Sequence, residues 1–481
     1  MRIHDNQARS FLIEKGVFTL NESENLKRGL KNRHIQLIAI GGAIGVGLFL
    51  GSAKAIQAAG PSLMISYLIF GVIVFFMMRA LGEMILYKPI SGSFSDYAQE
   101  FIGPWAGFFT GWTYWFAWIV TGMAEITAVG KYMTFWFPNL PQWIPALIAL
   151  IFVYLINLVA VKLFGEFEFW FALIKIVTIL ALLVIGILMI TTGVGHEGQP
   201  VGISNLWKHK GFFPHGIIGM LLTLQMVVFS FQGVELVGVT AGEAEDPEKT
   251  IPSAINNIIW RILIFYIGAL FVIMAIYPWI QLDGSSSPFV LVFENIGIPA
   301  AAAIINFVVL TAALSSCNSG IFSTGRMLMT LSQHKHAPKS LAKINRRQVP
   351  SVGLTVSCFV LLIGVVLNYF VPEKAFVYIT SVATIGTIWT WGMIVFTHIK
   401  FRKAMKAKGK NSPTFKMPGA PITNWIVLIF LAIVIVMIGI DKDARVALYV
   451  APFWFGLLII GYFFTRNQNQ KNSSINHEKI D

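Results

Sequence analysis

Between Ile40 and Gly51 a long apolar run, IGGAIGVGLFLG, carries Gly41, Gly42, Gly45 and Gly47 within seven residues. A helix-interior glycine costs about 1 kcal/mol relative to alanine, so four together oppose a continuous helix. At membrane depth the freed backbone groups must find partners. A broken helix is tolerated there beside a cavity, where its N–H groups and half-helix N-terminus hold an anion such as a carboxylate. A small-residue packing face is the competing use, because Gly41 and Gly45, and likewise Gly47 and Gly51, stand at GxxxG spacing. The GxGxxG nucleotide fingerprint is not met, and no strand–turn–helix context surrounds the run. A second interrupted apolar segment, FSFQGVE from Phe229 to Glu235, favours the ligand site, since paired breaks in two corresponding halves mark a transporter's binding site.

Composition sets the medium. Hydrophobic residues make up 56% of the chain and charged residues only 12%, against about a quarter charged in soluble domains, and the mean hydropathy is +0.70. An all-α integral membrane protein is expected, each helix using roughly 20 apolar residues to span. A net charge of +13 raises the question of nucleic acid, but the placement of the charge answers it. With twelve spans and an internal N-terminus, 28 of the 36 Lys and Arg fall in the inner arm, inner loops and tail, and seven on the outer side. That bias is the positive-inside rule; the charge orients the chain, and no nucleic-acid partner is expected. Cys317 and Cys358 both lie in apolar runs, so neither a disulfide framework nor a metal site is implied.

Taken in order, residues 1–34 read as a cytoplasmic arm. The first span follows, and the second ends with Arg79 and Glu83 at i,i+4 spacing, expected to pair at the inner surface. Glu125, in the third span, sits in an apolar run with no adjacent basic residue. Such a group is by default a functional candidate; a neutral, hydrogen-bonded carboxyl between helices is the alternative. Lys175, in FWFALIKIVTIL of the fifth span, is the lone lysine placed well inside a span. Desolvation lets a buried lysine exchange its proton near neutrality, whereas snorkelling past Glu166 to the surface would make it structural. Glu235, just after the second break, either orients the unwound segment or accepts an ammonium or proton. Phe229 and Phe231 flank a pocket or fill the core. Ser315, Ser316 and Asn318, in the polar run LSSCNSG, face a cavity or hydrogen-bond another helix. No nucleophile–base pairing, phosphate loop or metal-ligand spacing accompanies these acids, so an enzyme is not expected.

The breaks fall in the first and sixth spans, so spans one to five and six to ten form candidate halves of an inverted repeat. The stretches NRHIQLIAIGGAIGVGLFLGS, GPWAGFFTGW, VKLFGEFEFWFALIK, FSFQGVELVGVTAGEAEDPEKTIPSAI and INFVVLTAALSSCNSGIFSTGRML resemble a bacterial amino-acid permease of the amino acid, polyamine and organocation superfamily, in its amino acid transporter branch. The resemblance implies the leucine-transporter fold: twelve helices, a 5+5 inverted repeat with helices 1 and 6 broken, alternating access, proton-driven uptake and no cofactor. It divides the chain into the arm 1–34, a ten-helix core 35–399 with repeats 35–190 and 214–399, a basic inner loop and two further helices at 400–465, and a cytoplasmic tail 466–481. It places the protein in the bacterial cytoplasmic membrane with both termini inside.

The same resemblance implies that the backbone of Gly45, Val46 and Gly47 binds the substrate carboxylate, with Ala43 lining the pocket. Carbonyls near Phe229 and Ser230 take the ammonium, and Phe231 and Gln232 line or cover the site. Lys175 matches a lysine that replaces a sodium ion in proton-coupled relatives, and Glu125 matches an acid on the third helix; Glu235 joins them as a candidate for proton coupling. The segments look most similar to permeases for D-serine, D-alanine and glycine and to those for threonine and proline, so the expected substrate is a small neutral amino acid. Proline or aromatic substrates, amino-acid exchange, and a non-transporting amino-acid receptor remain the alternatives; a receptor would carry a long signalling tail or loop.

Overall fold

The computed structural model describes residues 44–477 except 91, 160, 195–197, 244–245, 283–286, 295–298, 347–348 and 410–413. Ala43, with Gly41 and Gly42, therefore lies outside the described residues. Among those described there is no β-strand.

The glycine-rich run does not continue as an ordinary α-helix. Gly47–Gly51 forms a π-helical turn, followed by α1 (Ser52–Ala59). Gly60, at a φ of 58° that disfavours any side chain, and Pro61 then turn the chain into α2 (Leu63–Tyr87). The short helix α3 (Ser93–Phe101) precedes α4 (Pro104–Met133), with Pro104 in the first turn, where its missing N–H costs nothing. Next come α5 (Trp143–Val159) and α6 (Val161–Thr192).

Gly216–Leu222 leads through Thr223 into α7 (Leu224–Phe231), which stops at Gln232; α8 (Leu236–Thr240) resumes after four turn residues. The helix α9 (Pro247–Asn256) is capped by Asp246, whose side chain accepts from the Lys249 amide. It continues through Ile258–Arg261 and a second π stretch, Ile262–Gly268, into α10 (Ala269–Ile276). The remaining long helices are α11 (Pro299–Gln333), α12 (Ser351–Phe370), α13 (Pro372–Ala407), α14 (Ile422–Ile440) and α15 (Val446–His477).

Nine helices among the described residues are long and apolar enough to cross a membrane; the first of these, Gly47–Tyr87, joins α1 and α2 through the Gly60 turn. Trp143–Leu158 is a shorter apolar helix. At the centre stands α4, buried along most of its length and packed against α11, α13 and α12. Its Gly111, Gly122 and Gly130 let neighbouring side chains and backbone approach closely. By contrast α15 is largely exposed, with Tyr449, Phe453 and Phe464 facing outward.

One expectation fails here. Arg79 and Glu83 do not form an ion pair: Glu83 is fully buried and accepts two bonds from Arg402, at 3.0 and 2.7 Å, one from the Met417 amide at 2.8 Å, and faces His398 Nε2 at 3.0 Å. Arg79 instead donates to the Lys416 carbonyl and to Asn256 Oδ1, both at 3.1 Å, with its guanidinium over the Phe415 ring. Lys416 and Met417, just ahead of α14, offer a carbonyl to Arg79 and an amide to Glu83, so each side chain bonds the loop and not the other. One i,i+4 neighbour thus anchors α13 and the other anchors a loop and α9.

Candidate functional site

The π turn and the interrupted helix α7 meet. A Cβ on Gly47 would stand 2.6 Å from Ser230 Cα, so only glycine permits the π turn to lie on α7. The break after Phe231 comes slightly later than the sequence suggests: Phe229, Ser230 and Phe231 are helical, and Gln232–Glu235 is the turn. Gly233, at a φ of 109°, carries the chain out of the helix.

Breaking α7 frees backbone groups, and each described partner is local or comes from an adjacent helix. The Gln232 amide donates to the Phe229 carbonyl and the Val234 amide to that of Phe231. Ser230 C=O is left without its i+4 amide and accepts instead from the Tyr266 hydroxyl at 2.9 Å. The Tyr67 hydroxyl sits 3.0 Å from Ser230 Oγ, and Phe231 stacks on Tyr266 at a centroid distance of 4.6 Å. Glu235 fixes the turn itself: its carboxylate accepts from the Gly233 amide at 3.1 Å and from the indole N–H groups of Trp118 and Trp391 at 3.2 and 3.3 Å. Thr121 of α4 donates to Gln232 Oε1 at 2.8 Å.

On the other side of the π turn, a Cβ on Gly45 would meet Glu125 Oε1 at 3.0 Å and Ser316 Oγ at 3.1 Å. The Val46 amide and the Ser316 hydroxyl lie against the Glu125 carboxylate. The described helix start at Val46 therefore faces an acid of the chain itself, the sign that a helix N-terminus favours. Glu125 Oε2 is buried with no hydrogen-bond partner among the described residues.

Lys175 does not snorkel. It is fully buried and donates to Ser315 Oγ at 3.0 Å; that hydroxyl donates to Glu168 Oε2 at 2.9 Å, and Asn318 Nδ2 donates to Glu168 Oε1 at 2.9 Å. Asn157 in turn donates to Asn318 Oδ1 at 2.7 Å. The polar run of α11 thus bridges helices as hydrogen-bond glue, with Lys175 and Glu168 of α6 joined through Ser315 at its centre. Glu168 was not singled out from the sequence, although it stands seven residues, two helical turns, before Lys175 on the same face. Tyr67, Tyr266, Trp118 and Trp391 carried no signal among so many aromatics.

Of the candidate site residues, Gly45, Val46, Gly47, Phe229, Ser230, Phe231, Gln232, Glu125, Lys175 and Glu235 are all buried, none of the side chains more than 6% exposed. Among the described residues no group of His, Cys, Asp and Glu is arranged to hold a metal ion.

The sequence pattern of the amino acid permease family matches residues 34–474. An uncharacterized amino acid permease of Bacillus subtilis (strain 168), YtnA, is 54% identical over 458 residues, 95% of this chain and 99% of its own length. The probable threonine/serine transporter YbxG of the same organism is 51% identical, covering 92% of this chain and 95% of the relative. The D-serine/D-alanine/glycine transporter of Escherichia coli (strain K12) is 48% identical, covering 92% and 94%. These relatives are named as permeases and transporters, and none as an enzyme. With helices apolar enough to span a bilayer many times, the chain is a multi-pass membrane protein and belongs to the amino acid permease family.

Proposed function

We propose that the protein is a proton-coupled importer of small neutral amino acids, working by alternating access across the bacterial cytoplasmic membrane. The observation that carries this reading is the close approach of the π turn at Gly47 to Ser230 of the interrupted helix α7, beside the buried Lys175–Ser315–Glu168 chain. In this reading twelve helices cross the membrane, both termini are cytoplasmic, and residues 35–190 and 214–399 form the inverted repeat.

The substrate carboxylate takes the amides of Gly45, Val46 and Gly47, beside Ala43. The ammonium shares the carbonyls of Phe229 and Ser230, each of which keeps a second lone pair besides its present bond. Phe231 and Gln232 close over it. Because the N-terminus of the broken helix now faces Glu125, substrate entry displaces one carboxylate by another. That exchange of negative charge is best tolerated when Glu125 takes up a proton, and Lys175, in the same buried polar region, responds to the change. Glu235, held by two indoles and an amide, acts by orienting the turn.

Small substrates are supported by the crowding around Gly45 and Gly47 and by the names of relatives at 48% and 51% identity. The decisive measurement is uptake of radiolabelled D- and L-alanine by proteoliposomes with and without an inward proton gradient, with glycine, serine, threonine, proline and phenylalanine as competitors. Gradient-driven accumulation blocked by the small competitors is expected; uptake that needs preloaded amino acid and ignores the gradient would make the protein an exchanger.

A further inference from the structure

Arg261 is a buried cation with two guanidinium nitrogens unpartnered among the described residues. Its side chain is 7% exposed, and Nε and Nη2 are enclosed with no hydrogen-bond partner among the described residues. In the sequence it counts with the inner positive charge, but its burial shows that orienting the chain is not its whole use. A guanidinium left unpaired in a helix bundle is costly, and its planar fork matches a carboxylate in two parallel bonds.

Its position says which carboxylate. Arg261 ends the short helix Ile258–Arg261 and directly precedes the π stretch Ile262–Gly268. π turns inserted in helices frequently mark functional sites. Five residues further on, Tyr266 donates to the Ser230 carbonyl at the helix break, and both Arg261 and Tyr67 lie within electrostatic reach of Tyr266. The chain runs from α9, whose Asn256 accepts from Arg79 near the C-terminal end of α2, the end that also bonds Lys416 of the basic loop, through Arg261 to Tyr266. Arg261 therefore lies roughly 7 Å below Tyr266 on the cytoplasmic side, at 1.5 Å per residue.

The geometry points to Arg261 as a release-side binding point that receives the amino-acid carboxylate after it leaves the amides of the π turn and before it reaches the cytoplasm. This rests on the transport function proposed above. The substrate is zwitterionic, so the carboxylate seats on the guanidinium fork while the ammonium passes the Tyr266 and Tyr67 hydroxyls. The site is one-sided: the guanidinium stands below the helix break and not above it.

The test compares the wild-type protein with Arg261→Gln and Arg261→Lys in proteoliposomes, using radiolabelled alanine and measuring half-saturation separately at each face. Arg261→Gln is expected to raise half-saturation at the cytoplasmic face about tenfold, the loss of one charge-assisted contact, and to leave the outer face unchanged. Arg261→Lys, which keeps the charge and loses the fork, gives a smaller rise at the same face and decides the matter if the glutamine variant does not fold. Alaninamide, lacking the carboxylate, should compete equally at the cytoplasmic face of all three proteins. Equal shifts at both faces, or none, overturn the proposal. So does a shift present with phosphatidylglycerol vesicles and absent with phosphatidylcholine alone, which assigns the guanidinium to a lipid phosphate. A wild-type protein that neither binds nor moves alanine, glycine, serine or threonine overturns the transport reading and this one together; asymmetric transport by the wild type with symmetric variants overturns this one alone.

Discussion

Gly47 lies so close to Ser230 that a methyl group on its α-carbon would stand 2.6 Å from the Ser230 α-carbon. The neighbour is backbone and has no rotamer by which to yield. Gly45, two residues earlier, meets the ends of two side chains, Glu125 and Ser316, at 3.0 and 3.1 Å. Substitutions at the two positions should therefore differ in kind.

Gly47→Ala is expected to cost about 1–3 kcal/mol of stability, the usual range for forced overpacking, and to abolish alanine uptake because the π turn must move off α7. Gly45→Ala should leave stability nearly unchanged and weaken substrate affinity, and Gly45→Val should block binding by crowding the amides. Thermal unfolding of purified protein and equilibrium binding separate the two positions. Normal affinity in Gly45→Val would return the glycines to a packing role.

Lys175→Ala leaves Glu168 with its hydroxyl and amide donors but no cation, and removing one partner of a buried ionic arrangement costs about 3–5 kcal/mol. Proton-driven accumulation should be lost, with some substrate binding retained. If Lys175 and Glu168 act through Ser315 as one unit, the double variant Lys175→Ala with Glu168→Gln will be more stable than the sum of the single losses predicts. A double-mutant cycle by thermal unfolding reads this; strict additivity would separate the two residues.

Glu235→Gln tests whether that acid orients or carries a proton. The amide cannot accept at both ends as the carboxylate does from Gly233, Trp118 and Trp391. An orienting role predicts that net uptake and alanine exchange fall together, with a stability loss of about 2 kcal/mol for the charged hydrogen bonds. Loss of net uptake with full exchange would instead make Glu235 a proton carrier.

Glu83→Gln should lower the unfolding temperature with little change in substrate affinity, since Glu83 gathers Arg402, His398 and the Met417 amide, none of them a residue of the π turn or of the α7 break. Arg79→Gln, which releases Asn256 and the Lys416 carbonyl, should do less, because Arg79 is more exposed and its bonds compete with water. Comparable losses in the two variants would contradict the separation of these residues.

What the sequence by itself determined is what local composition can carry. Low charge and long apolar runs specify membrane helices, and glycines crowded into one apolar run keep it from continuing as an ordinary α-helix, because each is a property of neighbouring residues. The same logic marks Glu125, Lys175 and Glu235, since an ionisable group in an apolar run is conspicuous without its partner. The partners themselves were decided by the tertiary structure. Ser315 lies 140 residues from Lys175, Trp391 lies 156 from Glu235, and Arg402 lies 319 from Glu83. No periodicity links such positions, and an i,i+4 rule chose Arg79 for Glu83 where a docked loop had intervened. Only the packing of helices supplies a hydroxyl to the Ser230 carbonyl, indoles to Glu235 and a carboxylate to the helix N-terminus at Val46, because a buried polar group takes whichever partner the fold brings within hydrogen-bond range.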